Sequence, residues 1–172
     1  SNYQKIFIGG DFSHAFWLTV VFAFVSSILI NVLAFSIALA LTKGFKGTNV
    51  FRTVFFMPNL IGGIILGYIW QQMINAVLLK YETTLVANPT YGFWGLIILM
   101  NWQMIGYMMI IYIAGLQAVP DSLIEAAKID GASSWQQFKR ITLPLLTPTT
   151  FYLIVTGMIG SLQTFLEVNL FA

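Results

Sequence analysis

Apolar residues run along this chain in four long stretches separated by short polar clusters. Residues 12–42, 53–79, 83–120 and 141–166 contain no Asp, Glu, Lys or Arg. A bilayer core about 30 Å thick is crossed by roughly 20 helical residues, and a charge at the centre of such a helix costs on the order of 3 kcal/mol. Each stretch is long enough to span. The pattern predicts membrane helices near 14–41, 53–75, 92–117 and 144–166. The expected fold class is therefore all-α: a polytopic helical membrane protein with four transmembrane helices and one long polar loop, 118–143, between the third and fourth.

Composition sharpens this picture. Hydrophobic residues make up 58% of the chain and charged residues 8%, too few charges to coat a soluble domain. There are no cysteines, which rules out a disulfide framework and a thiol nucleophile. The sequence holds no Ser-His-Asp set, metal-ligand cluster or Gly-x4-Gly-Lys-Ser/Thr phosphate loop, so no catalytic residue, metal or cofactor is expected, and any ATP must be bound by another chain. The net charge of +2 is too small to point to nucleic acid. His14 falls at a helix edge and reads as a solvated or interfacial histidine. The first stretch lacks the basic flank and cleavage site of a signal peptide. With no initiator Met and an apolar run up to Ala172, we expect a single membrane domain, 1–172, with further membrane segments beyond one or both ends.

Charge also sets orientation. The connections 42–52 and 118–143 lie on one side of four spans and hold Lys43, Lys46, Arg52, Lys128, Lys139 and Arg140, six of the eight basic residues. The positive-inside rule makes that side cytoplasmic and both termini outward. Trp17, Tyr81, Tyr91 and Trp94 then fall near the outer boundary, where amphipathic rings prefer to sit.

The loop 118–143 has internal order. Pro120 ends the third span. Ser122 and Glu125 have the spacing of a capping box, so a short helix is expected from Leu123 to Asp130. Gly131 suits the left-handed position after it. Ser133 or Ser134, with Gln136 or Gln137 three residues on, offers a second start, and Pro144 suits the first turn of the last span. The small Ala126 and Ala127, the apolar Leu123, Ile124 and Ile129, and the charged Glu125, Lys128 and Asp130 describe either a peg that docks in a socket or an amphipathic helix lying on the membrane surface.

The string Glu125-Ala126-Ala127, three residues, Gly131, nine residues, then Ile141-x-Leu143-Pro144 resembles the EAA signature of permease subunits of ABC-type importers. The longer run through Trp135, Phe138 and Leu146 is similar to the carbohydrate branch, of maltose and glycerol-phosphate type, as are Ala114-Gly115-Leu116-Gln117-x-x-Pro120, Phe55-x-x-Pro58 and Trp70. The resemblance covers most of 14–166. It implies that residues 122–134 are a coupling helix that docks on a cytoplasmic ABC ATPase dimer, with Glu125, Ala126, Ala127, Asp130, Gly131, Ala132 and Ser133 as docking residues. It further implies a second permease subunit, an extracytoplasmic solute-binding protein, and a location in a bacterial or archaeal inner membrane. The connection 76–91 is short and lacks the glycine-asparagine segment of that branch, which leaves a non-sugar solute as an alternative.

Polar side chains inside spans face a protein interior or a water-filled cavity. Asn31, Asn59, Gln71, Gln72, Asn75, Asn101, Gln103, Gln163 and Thr164 are the candidates, and Gln71, Asn75, Asn101, Gln103, Gln163 and Thr164 are assigned to a substrate path. Beside Trp70 and Trp102, their amides suit a neutral polyhydroxylated ligand; the competing reading is hydrogen bonding between helices. Gly62, Gly63 and Gly67 have small-residue spacing and are read as helix packing. The function expected is half of a translocation path for a sugar or related polyol. The rivals are an ion-coupled secondary transporter fragment, which the absence of buried charge opposes, and a scaffold whose loop binds a partner. Cysteines placed at Thr48 and Ser134 should react only from the cytoplasmic side and one at Thr83 only from outside; labelling of Ser134→Cys from outside intact cells refutes this topology.

Overall fold

A computed structural model describes the backbone of residues 10–44 and 46–171 and the side chains of 13, 16–44 and 46–163. Among the described residues there are helices and turns and no strand, as a bilayer requires of any open, non-barrel structure. The first helix, α1 (Gly10–Thr42), is apolar on all sides. The short α2 (Thr48–Phe56) and a 3-10 turn (Met57–Leu60) precede α3 (Gly63–Leu78). The long α4 (Pro89–Gln117) begins with proline at its first position, where no N–H is needed, and the Asn88 side chain accepts from the Thr90 N–H at 3.0 Å.

The core is the seam between α1 and α4. Phe22 meets Phe93 and Phe35 meets Tyr112, both edge-on, so the two helices run in the same direction, as the first and third spans of a four-span chain must. Ile30, Ala34 and Ala38 from α1 bury against Ile97, Met108, Met109 and Tyr112 from α4. Alanines let the backbones approach, and methionines fill what remains. Within this apolar seam, Tyr112 Oη donates to Asn31 Oδ1 at 2.8 Å, and Asn31 Nδ2 donates to the Ser27 carbonyl at 2.8 Å. Asn31, a candidate for the substrate path, is thus spent on joining two helices.

The expected single helix over 53–75 is in fact two. The pair Thr48–Leu60 and Gly63–Tyr81 is bent by 99°. Pro58, buried in the 3-10 turn, has no N–H to continue the ladder, and Ile61 is extended at φ −86°, ψ 131°. Gly62 and Gly63, poor helix formers, follow at the break. Gly106 of α4 accepts the bent end: a side-chain carbon there would overlap the Phe55 carbonyl and lie 2.7 Å from Phe56 Cα. Gly62, Gly63 and Gly67 do not pack as expected; nothing within the described chain lies within 4 Å of a side-chain carbon built on any of them.

After α4 come α5 (Asp121–Ile129), α6 (Ser134–Gln137), a π-helical segment (Phe138–Thr142), α7 (Leu143–Leu145) and α8 (Thr147–Phe171). The expected last span, 144–166, begins at Thr147, and the pair Ser134–Leu145 and Thr147–Gln163 is bent by 58°. Prolines explain the join. Pro144 offers no N–H to the Arg140 carbonyl, and the Leu143 N–H reaches back five residues to Phe138 instead, the signature of a π turn. Pro148, in the first turn of α8, repeats the omission four residues on. Among the described residues two helices, α1 and α4, are long and apolar enough to cross a membrane alone, and four spans result if each bent pair is one. Trp17, Tyr81, Tyr91 and Trp94 are all exposed, as an aromatic belt requires. Gly106→Val should destabilise the fold by about 2 kcal/mol or more through overpacking, read as a lower melting temperature in detergent, whereas Gly67→Ala should leave it unchanged; equal melting temperatures would disprove the Gly106 contact.

Candidate docking loop and polar path

The loop begins where α4 runs out. The Ala118 N–H still reaches the Ala114 carbonyl at 3.0 Å, and Pro120, extended at φ −64°, ψ 128°, turns the chain into α5. The Ser122–Glu125 capping box is absent, a correction to the sequence reading. Pro120 holds the cap position and Asp121 the first helical one, so Ser122 is the second helical residue and no side chain caps the helix. Asp121 in the first turn and Lys128 in the last complement the helix dipole instead.

The turn after α5 is formed as the sequence predicts. Gly131 sits at φ +77°. The Ala132 N–H donates to the Ala127 carbonyl at 2.9 Å and the Gly131 N–H to the Lys128 carbonyl at 3.0 Å, the paired bonds of a Schellman ending. The second start is also formed. Ser133 N–H donates to Gln136 Oε1 at 2.7 Å and Gln136 N–H to Ser133 Oγ at 3.3 Å. Buried Gln137 then ties α6 back to the turn, with Nε2 donating to the Ala132 carbonyl at 2.8 Å.

The unit so built projects from the bundle. No residue of α5 is buried. Glu125, Ala126, Asp130, Gly131 and Ser133 are exposed, and Ala127 and Ala132 are half-buried. Ile129 is 86% exposed and Trp135 67% exposed, so apolar surface stands in the open beside charge. An open hollow of about 420 Å³ separates the two short helices, lined by Ala127, Asp130, Gly131, Ala132, Gln136 and Arg140 among others. All seven proposed docking residues are therefore brought to one rigid, accessible element.

Rings that the sequence reading did not single out as a group join this element to the core. Trp135 stacks on Phe138 with centroids 5.6 Å apart; Phe138 faces Phe35 of α1 at 6.2 Å; Phe35 meets Tyr112 of α4 at 5.2 Å. The i, i+3 spacing of Trp135 and Phe138 was a visible signal. Nothing in the sequence pairs Phe35 with Tyr112.

The polar path is less gathered. Trp70 of α3 and Trp102 of α4 meet edge-on at 5.4 Å, which brings the neighbourhoods of half-buried Gln71 and Gln103 to one level. Asn75 is engaged elsewhere: its Oδ1 accepts from the Leu85 N–H at 2.9 Å and pins the 82–88 turn onto α3. Asn101 is buried, with Nδ2 donating to the Ile97 carbonyl at 2.7 Å and Oδ1 without a hydrogen-bond partner. Gln163 is exposed, and among the described residues no hydrogen bond joins it to Gln71 or Gln103. Asn59 lies half-buried in the 3-10 turn and Gln72 is exposed. The side chains of Thr164 and His14 lie outside the described residues.

The chain is 40% identical over 164 residues to "Probable starch degradation products transport system permease protein AmyD" of Thermoanaerobacterium thermosulfurigenes, covering 90% of this chain and 56% of that protein. It is 33% identical to "Trehalose/maltose transport system permease protein MalF" of Thermococcus litoralis, covering 95% and 59%. It is 31% identical to "sn-glycerol-3-phosphate transport system permease protein UgpA" of Brucella suis, covering 92% and 57%. The chain thus spans a little over half the length of these relatives. In fold it matches the crystal structure of a bacterial ABC transporter involved in the import of the acidic polysaccharide alginate, with a TM-score of 0.81 at 23% identity over 96% of this chain and 62% of that one. Residues 6–172 match the family described as "Binding-protein-dependent transport system inner membrane component", and the chain is a member of that family of multi-pass membrane permease components.

Proposed function

We propose that this chain is the core of one permease subunit of an ABC importer for a sugar or related polyol. It forms half of the translocation path, pairs with a second permease, and receives solute from an extracytoplasmic binding protein. The observation that carries the reading is the projecting loop 121–137, capped at Gly131 and Ser133 and lacking buried residues on α5. An element fixed internally yet free externally is what a docking peg requires, and an ABC ATPase dimer in the cytoplasm is the partner its signature implies. ATP is hydrolysed there; this chain couples that hydrolysis to uptake, with the docked loop and its neighbouring helices as the bistable element. The relatives named for starch products, trehalose/maltose and glycerol-3-phosphate support a carbohydrate-like solute. So does the Trp70–Trp102 pair beside amide side chains, since ring faces cover sugar C–H surface and amides bond hydroxyls. The membrane would be the cell's inner membrane.

Co-purification of the ATPase with the full permease, and uptake by the complex in proteoliposomes, test this reading. Gly131→Val should abolish both while the protein still inserts. The space around Gly131 is open, so the fault is backbone strain at φ > 0, of about 1–2 kcal/mol, that misaims the peg. Normal uptake by Gly131→Val would contradict the assignment. Glu125 makes no capping bond, so any loss at this position reports docking. Glu125→Gln and Glu125→Ala should each weaken ATPase association about tenfold, as expected for a hydrogen bond to a charged group; undiminished association in both rules Glu125 out. Gln163→Leu keeps the volume but leaves a substrate hydroxyl unpaired. It should raise the transport constant roughly tenfold with ATPase association intact, and an unchanged constant would return Gln163 to helix packing.

A further inference from the structure

The docking loop is joined to the last span by a stretch of chain ill suited to carry a push. From the end of α6 to the first turn of α8 come the π segment Phe138–Thr142, two prolines four residues apart, and a 58° bend. Sharp kinks arise where the backbone ladder is interrupted, and interrupted ladders are where motion is absorbed. Force entering at α5 would flex this join before it moved α8.

A second route runs through side chains and leaves the join at its first residue, Phe138, before the prolines and the bend. It starts at Trp135, 67% exposed on the docking face, and ends at Tyr112, 2% exposed at the centre of the seam. The centroid steps are 5.6, 6.2 and 5.2 Å, with interplanar angles of 29°, 33° and 62°. The outer two contacts, stacked and edge-on, are favoured ring geometries, and the middle one is tilted. A ring turns about only two side-chain bonds, so packed rings yield little along their line of contact. The last ring is not free to slide, because Tyr112 Oη is held by Asn31, which is held in turn by the Ser27 carbonyl. Phe35 and Asn31 belong to α1 and Tyr112 to α4. The line therefore acts on both helices of the seam at once.

We propose that Trp135, Phe138, Phe35 and Tyr112 form a mechanical relay through which the docked loop moves α1 and α4, bypassing the hinge before α8. The proposal rests on the importer reading above. These are positioning residues; none touches nucleotide or solute. Discrete arrangements of packed side chains are a physical means of carrying coupling between distant sites, and the claim stands only if coupling is measured.

The test uses the complete transporter with its companion permease, ATPase and solute-binding protein, reconstituted in lipid nanodiscs. Phe35→Leu, Phe138→Leu and the double variant keep apolar volume and remove a ring; Phe138→Tyr keeps the ring. The relay predicts an unchanged ATPase content and unchanged basal hydrolysis. It predicts that stimulation of hydrolysis by solute-loaded binding protein falls about fivefold or more in each Leu variant. The double variant should be no worse than either single, because the contacts act in series, and Phe138→Tyr should retain stimulation. Undiminished stimulation in the Leu variants, additive losses in the double variant, or loss of the ATPase from the complex would each overturn the relay. If the unmutated complex neither retains an ATPase nor takes up solute, the importer reading itself fails, and the relay falls with it.

Discussion

One buried hydrogen bond, from Tyr112 Oη to Asn31 Oδ1, fixes how α1 and α4 sit against each other, and the remaining helices are arranged on that pair. In an apolar seam, a buried amide and a buried phenol each need a polar partner, and here they meet each other. Their pairing therefore selects one register among the many that apolar side chains would accept. Around it the alanines of α1 set the distance between the axes. Gly106 receives the broken second span on another face of α4. Gly157 of α8 lies close under Met108, where a side-chain carbon would come within 2.9 Å of its Cε. Specificity in this bundle comes from a few polar and small residues; apolar surface supplies bulk without preference.

That division explains what could be read in advance. Four charge-free stretches announce four crossings, because the bilayer penalises charge wherever it falls. The interruption at Ile61–Gly62 escapes the same reasoning, since a hydropathy pattern is blind to backbone geometry and Pro58 in a membrane helix is often tolerated. Gly106 was invisible for a related reason: no other glycine lies within one or two turns of it in α4, so it carries no spacing that names its neighbour. The triplet Gly62, Gly63 and Gly67 had such a spacing and was read as packing, yet within the described chain it meets nothing; its residues mark the break and an open face.

The projecting loop was more legible than the polar residues of the spans. Gly131 and the Ser133–Gln136 box are local devices whose chemistry is complete within a few residues, so spacing suffices to identify them. The Ser122–Glu125 box failed on an equally local rule, because with Pro120 as the cap the helix starts two residues earlier. Polar residues within spans depend on distant partners. Asn31 and Asn75 were indistinguishable in sequence from Gln71 or Gln103, and only the fold reveals that one binds Tyr112 and the other the Leu85 amide. An amide in a membrane helix therefore has to be located before it can be given a role.

The π segment has a geometric consequence for the signature itself. In an α-helix each residue turns the chain by about 100°, so a single extra residue in the Phe138–Thr142 turn rotates everything on one side of it relative to the other by that amount. The azimuth of α5 around the bundle is therefore set by counting residues. Nine positions between Gly131 and Ile141 act as a phase setting: the interval carries little chemistry of its own, yet its length aims Glu125, Ala126 and Ala127 away from the bundle instead of into it.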